Sequence, residues 1–349
     1  VRAIVCEKPK KFRYMDMQNP KPEIGKAIVN IKRIGICGTD IHAYLGNQPY
    51  FDYPRILGHE LAGVIDSIEE NSLGLKKGDQ VAVIPYLECG TCATCKKGLT
   101  NCCPNMAVMG VHQDGGMVEQ LSVPIQHLIQ TNELTLDESA ILEPLSIGAH
   151  AVRRSDIQQG ESVLVIGAGP IGLGVMQFAK QKGAKVISMD MNEERLAFAK
   201  QWANVDKIIH ATEDPLQQLQ KVTNEELPTV VFDATGNSQS MMQAFNYPEN
   251  GGKIVFVGLV KSDITFSDPL FHGKELTLMA SRNATKEDFE WVLQVLQSGV
   301  IDAEGFITHR TDFNQAVDVF GTWIQPNSSV VKAMIDCSSK GGSSCNTEN

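Results

Sequence analysis

Three groups of residues in this 349-residue chain have types and spacings that can do chemistry. The densest is the stretch CGTCATCKKGLTNCC, in which Cys89, Cys92, Cys95 and Cys103 follow one another at intervals of three, three and eight. Four thiolates on a short lobe with glycines to turn it fit a closed tetrahedral zinc site. Such a site has no open position for a substrate, so it holds a loop and need not catalyse. Four unpaired thiols are the weaker reading, because free cysteine prefers apolar interiors and this segment is polar. Cys102 competes with Cys103 for the fourth place, and spacing alone does not separate them.

A second group is split between two motifs. GICGTDIH supplies Cys37, Thr39, Asp40 and His42, and GHE supplies Gly58, His59 and Glu60. Together they can furnish a mixed sulfur, nitrogen and oxygen metal site. A third piece, LEPLSIGAH, brings Glu143 just ahead of the second half of the chain, near the cleft expected between two domains. A histidine beside a glycine is ordinarily structural, so His59 draws its meaning from its neighbours.

The third group is GAGPIG, with Gly167, Gly169, Pro170, Ile171 and Gly172. It follows the strand-like SVLVI and opens a helix, the context a dinucleotide fingerprint requires. One glycine allows the tight turn, one the approach of a pyrophosphate and one close helix packing, while the helix N-terminus favours negative charge. The next strand-like run, KVISMD, ends at Asp190, where a carboxylate accepts hydrogen bonds from ribose hydroxyls and repels a 2′-phosphate. That favours NAD over NADP. Arg195, shortly afterwards, is the one residue placed to accommodate a phosphate instead.

These residues need a scaffold, and the pattern of the chain suggests one. Up to about residue 145, short β-type runs such as AIVNIKRIGI and LAGVIDSI alternate with glycine and proline turns, which predicts a β-rich domain. From about residue 160 the rhythm becomes strand then helix, repeated, which predicts a doubly wound parallel sheet. KEDFEWVLQVLQSG then reads as an amphipathic helix and VVKAMID as a strand, and the glycine- and serine-rich 338–349 as a flexible tail. The expected class is α/β.

Bulk properties narrow the partners. A formal charge of −10 argues against nucleic acid, whose binding draws on Lys and Arg. The apolar run from Val163 to Val175 is broken by four glycines and a proline, so it does not span a membrane as a helix. The N-terminus lacks the features of a secretory signal, and the clustered cysteines read as metal ligands in a reducing compartment. A cytoplasmic enzyme with a small-molecule substrate is expected.

Read in order, GICGTDIH, GHELAG, the cysteine lobe, ILEP and GAGPIG resemble the zinc-containing medium-chain dehydrogenases over nearly the whole chain. Within that family the chain is similar to the branch of sorbitol, threonine and sugar-acid dehydrogenases. GNQPYFDYPRILGHE, GVHQDGG and FSDPLFHGKE resemble bacterial hexonate dehydrogenases. The resemblance implies a GroES-like catalytic domain over 1–146 completed by a C-terminal return over 285–337, and a Rossmann domain over 147–284. It implies that Cys37, His59 and Glu60 are catalytic zinc ligands, with Glu143 a fourth or alternating one, and that Cys103 completes the structural site. Thr39 and His42 match a proton relay, and Arg282 falls where sorbitol dehydrogenases place a substrate-contacting arginine. The activity implied is NAD-linked oxidation of a secondary alcohol on a small polyol or sugar acid, a hexonate favoured, by a homodimer or homotetramer. A zinc-independent reductase of the same fold is the rival.

Overall fold

The computed structural model describes residues 1–48, 51–325 and 328–338. Its chain divides into two units. The first takes Val1–Leu87, Met106–Glu143 and the described residues from Phe306 on; the second takes Glu88–Asn105 and Pro144–Gly305. Residues 285–305, expected with the C-terminal return, thus group with the second unit. The reason is packing. The helix Lys286–Gln297 sets Trp291 edge-on against Phe178 of the helix Pro170–Gln181, ring centroids 4.8 Å apart. Of the tail expected over 338–349, all but Ser338 lies outside the described residues.

In the first unit a seven-stranded sheet forms around Lys26–Ile36. Its path runs Leu128–Gln130, Gln80–Val83, Glu60–Ser67, Lys26–Ile36, Lys332–Asp336, Ile307–Asp312, with Gln120–Pro124 also pairing to Lys26–Ile36. A smaller sheet joins Lys11–Asp16, Arg2–Lys8 and Arg55–Ile56. Val29, Ile31, Ile34, Leu61 and Ile65 are buried in one apolar core with Ile4 and Val5 of the smaller sheet, each stabilising the fold by about 1.5–3 kcal/mol of apolar burial. Register then decides what meets at one end of the sheet. Gly35 pairs with Glu60 and Ile36 with Ala333, so the end of the central strand lies beside the starts of its two neighbours.

The second unit is built on six parallel strands, in spatial order Lys207–His210, Lys185–Asp190, Ser162–Ile166, Val230–Asp233, Lys253–Phe256, Thr277–Ala280. Val163, Leu164, Val165 and Ile166 are all buried, the unbroken apolar run of a strand covered on both faces. The first strand in sequence, Ser162–Ile166, lies between the second and the fourth. That reversal of order is the switch point at which doubly wound sheets bind ligands. The alternation read from the sequence therefore corresponds to a β-rich unit followed by a doubly wound sheet.

Candidate active site and metal centres

Cys37 caps the helix Gly38–Leu45, where the central strand of the first unit ends. Buried Asp40 fixes this corner, one oxygen accepting from the Cys37 N–H at 2.9 Å and the other from the Gly58 N–H at 3.1 Å. His59 and Glu60 follow Gly58 directly and are buried. Glu60 fits only because its strand partner is Gly35, where an added Cβ would collide with Glu60 Oε2. One ligand atom each from Cys37, His59 and Glu60 lies within 4.8 Å of the others.

The electrostatics of this cluster fit a cation. Burial works to lower the His59 pKa, but Asp40, Cys37 and Glu143 outweigh it and raise it well above the usual imidazole value. The His59 Nδ1 is buried without a hydrogen-bond partner and lies 3.6 Å from Asp40 Oδ1. A thiol, an imidazole and a carboxylate with an unmatched ring nitrogen form a donor set suited to zinc with a position left for a reacting group. Glu143 stands outside the 4.8 Å group and is held by the Tyr86 hydroxyl, which donates to its Oε1. Its pKa is raised to about 7, chiefly by burial and further by Glu60, against the opposing pull of His59. Thr39 and His42 lie one helical turn apart on Gly38–Leu45, Thr39 half-buried and His42 exposed.

One residue here was not singled out from the sequence. Lys332 is 1% exposed, and its Nζ donates to both Glu60 oxygens at 2.6 and 2.7 Å and to the Ile36 carbonyl at 3.1 Å. Burial would lower its pKa, but Glu60, Cys37 and Glu143 raise it. The signal available was a single lysine at the start of an otherwise apolar strand, AMI.

In the second unit, Gly167 has φ +96° at the end of the first strand, and Gly169 and Pro170 begin the helix Pro170–Gln181. An added Cβ at Gly172 would collide with the Gly167 carbonyl oxygen, so helix and turn touch as the fingerprint requires. Ile171 is half-buried beside them. Asp190 ends the next strand, and its carboxylate accepts from the Ala168 N–H at 2.7 Å and the Asn192 N–H at 2.9 Å. The acidic residue is thereby locked to the glycine turn. Arg195 is exposed on the first turn of Glu193–Trp202.

The cysteine lobe belongs to the same unit. Cys89, Cys92, Cys95 and Cys103 form the second group of ligand atoms within 4.8 Å. Their sulfurs approach at 3.3 Å for Cys92 and Cys95, 3.5 Å for Cys103 and Cys89, and 3.9 Å for Cys92 and Cys103. Cys102 is exposed and outside the group, whereas Cys103 is buried within it. Backbone N–H groups of Thr91 and Cys92 bring the Cys89 thiol down to about 5, while burial and neighbouring thiols push Cys95 up to about 12. Four such sulfurs become thiolates together only around a metal ion, so the set fits closed zinc coordination. Arg282 is exposed beyond the last strand, and its carbonyl accepts from Asn101 at 2.9 Å.

Known proteins share this architecture. The alcohol dehydrogenase GroES-like domain model matches residues 23–133, and the zinc-binding dehydrogenase model matches 170–298. L-galactonate-5-dehydrogenase of Escherichia coli K12 is 43% identical over 96% of this chain and 98% of its own. A sorbitol dehydrogenase of Arabidopsis thaliana is 34% identical over 88% of this chain and 87% of its own. Among solved structures, a "short chain alcohol dehydrogenase (rspB)" from E. coli CFT073 complexed with NADH superposes with TM-score 0.89 at 32% identity, covering 96% of this chain and 98% of that one. These matches, on a chain that carries both clusters and the nucleotide turn, show that it belongs to the zinc-binding alcohol dehydrogenase family, as an oxidoreductase with a GroES-like domain and a nucleotide-binding sheet.

Proposed function

We propose that this enzyme oxidises a secondary alcohol of a small sugar acid, an L-galactonate-like hexonate, with NAD. The observation that carries the reading is the cluster of half-buried Cys37 with buried His59 and Glu60, in a chain 43% identical to an L-galactonate-5-dehydrogenase. Cys37, His59 and Glu60 would hold the catalytic zinc, with Glu143 as fourth or alternating ligand; Cys89, Cys92, Cys95 and Cys103 would hold the structural one. Zinc bound at the first set supplies Lewis-acid polarisation of an alcohol oxygen. NAD held at Gly167, Gly169, Pro170, Ile171 and Gly172, with its ribose read by Asp190 and Arg195 alongside, supplies the hydride acceptor.

The chain's own groups do the rest. Thr39 would accept the substrate hydroxyl proton while passing its own on toward His42, a hydroxyl being both donor and acceptor. Exposed His42, one turn along the helix, exchanges the proton with water. Lys332 balances the charge of buried Glu60, donating to both of its oxygens. The exposed Arg282 guanidinium takes the substrate carboxylate, for which arginine's paired donors are suited.

We place the catalytic domain at 1–146 with the C-terminal return, the nucleotide domain at 147–284 and the enzyme in the cytoplasm, in line with a thiol-rich metal lobe. A homodimer or homotetramer is proposed because the edge strand Thr277–Ala280 is largely exposed, Leu278 at 39%, and offers unpaired backbone to a second copy. Sedimentation measures that state. The activity itself is tested by following NADH absorbance with L-galactonate, sorbitol and threonine. The expected kcat/KM for L-galactonate exceeds the others by about tenfold or more. Equal rates point to a polyol or threonine enzyme, and activity surviving metal removal points to the zinc-independent reductase.

A further inference from the structure

From the cysteine lobe to the segment after the last strand, the second unit holds a buried polar chain that neither metal cluster nor the nucleotide turn explains. Asn101, 4% exposed, stands on the cysteine lobe in the turn Thr100–Cys102. Its Nδ2 donates to the Arg282 carbonyl at 2.9 Å and lies 3.1 Å from His150 Nε2. His150 Nδ1 is 2.9 Å from Asp288 Oδ2. Asp288 is fully buried and also accepts from Arg153 Nε at 2.6 Å and from the Thr285 N–H and hydroxyl, each at 2.8 Å. Arg154, the next residue on the helix Leu142–Ser155, donates to the Ala280 carbonyl at 2.6 Å.

The segment 280–285 is therefore pinned at Ala280, Arg282 and Thr285. Between the pins, Asn283 holds φ +54°, a left-handed turn of the kind asparagine tolerates. The Arg282 guanidinium, by contrast, is exposed and makes no hydrogen bond or ion pair among the described residues. Both Nδ2 hydrogens of Asn101 are directed at Arg282 and His150, and its Oδ1 is left buried without a partner. An unpartnered buried carbonyl costs about 1–3 kcal/mol, so the amide's orientation is governed by what it donates to. A solvated surface arginine requires no such anchoring.

We propose that Asn101 is a positioning residue for Arg282, transmitting the order of the four-cysteine lobe to the main chain of the arginine that receives the substrate carboxylate. The proposal rests on the assignment of Arg282 to that carboxylate. It gives the lobe a part in substrate choice as well as in stability. Zinc bound by the lobe would fix the turn that carries Asn101, two residues before Cys103.

The test uses the zinc-loaded enzyme and two probes of the same carbon skeleton, L-galactonate and galactitol, which differ in a carboxylate. The readout is the KM ratio of galactitol to L-galactonate. Arg282→Met should narrow that ratio by about 10–100-fold, the loss of a charged hydrogen bond. Asn101→Ala, with full zinc content confirmed, should narrow it about fivefold, the loss of one net hydrogen bond, and add nothing in the Arg282→Met background. An Asn101→Ala enzyme whose ratio is unchanged, or whose two KM values rise alike, overturns the positioning role while leaving Arg282 in place. An unchanged ratio in Arg282→Met removes the assignment of Arg282, and the positioning role falls with it. Should Asn101→Ala not fold, hydrogen exchange of the unmutated chain decides. Removing the lobe zinc should speed exchange at residues 281–285 by about tenfold or more, and unchanged exchange there overturns the proposal.

Discussion

The two donor clusters solve opposite problems. The four cysteines come from one stretch of the chain, 89 to 103, and three of them are only half-buried. Cys37, His59 and Glu60 come from two separated motifs; His59 and Glu60 are buried, and Glu60 relies on Lys332 from the far end of the chain for charge balance. A short loop closes at small entropic cost, so the lobe can gather its ligands locally. The mixed cluster exists only once the central sheet has formed in register. The difference teaches where chemistry can be placed. A set of four soft thiolates is saturated, whereas a mixed set assembled by the fold keeps a position free and a carboxylate that competes between a metal and a lysine.

The sharpest way to break the comparison is Cys37→Ala. It should lower kcat/KM by roughly 10³–10⁴-fold, the several kcal/mol that a Lewis acid supplies. One equivalent of zinc should remain in the lobe. Elemental analysis checks this, and loss of both metals together means that the clusters are not independent. Next in size is Lys332→Met, which leaves Glu60 buried and unbalanced. Removing one member of a buried ion pair costs about 3–5 kcal/mol, so the urea midpoint should fall accordingly. Adding Glu60→Gln should recover much of the loss, and a double variant no more stable than Lys332→Met would show that the lysine acts through packing instead.

Much of this was legible in the residues because it is local. The cysteine spacing, the GAGPIG turn and the strand–helix alternation each lie within a short window, and each describes geometry that a few consecutive residues set for themselves. The Cys37 and His59 motifs were visible separately, but only the antiparallel register that sets Gly35 against Glu60 brings them together. Lys332 was not visible, because a lysine in a strand ordinarily reads as solvent-facing and its partner is 272 positions away. The same holds for His150 and Asp288, separated by 138 positions. Nor does any periodicity specify the contact by which the amphipathic helix Lys286–Gln297 packs through Trp291 on Phe178.

A smaller effect sharpens the comparison directly. Under mild chelation the mixed cluster should release its metal about tenfold or more ahead of the lobe, since a carboxylate is a harder and weaker partner for zinc than a thiolate, and Lys332 competes for it. Metal content against time should fall in two phases, with activity lost in the first. Activity that tracks the second phase, or a lobe that empties first, reverses the assignment of the two sets.

The smallest effect separates the two units by pH. Glu60 is balanced by one lysine in the first unit, whereas Asp288 in the second is surrounded by donors. Burial alone would raise the Asp288 pKa, but His150, Arg153 and the Thr285 N–H hold it well below the usual carboxylate range. A carboxylate depressed in the folded state stabilises the protein at pH values above its unfolded pKa of about 4 and loses that contribution as pH falls through the folded value. For a group this buried the contribution is about 2 kcal/mol. Asp288→Asn should therefore lower Tm at pH 7 while leaving the chain less sensitive to acid between about pH 5 and pH 2. Compared at equal metal content, the two melting curves should converge as the pH falls. Curves that stay parallel down to the acid limit would mean that Asp288 braces the helix through shape, with its charge contributing nothing to the hold on the segment carrying Arg282.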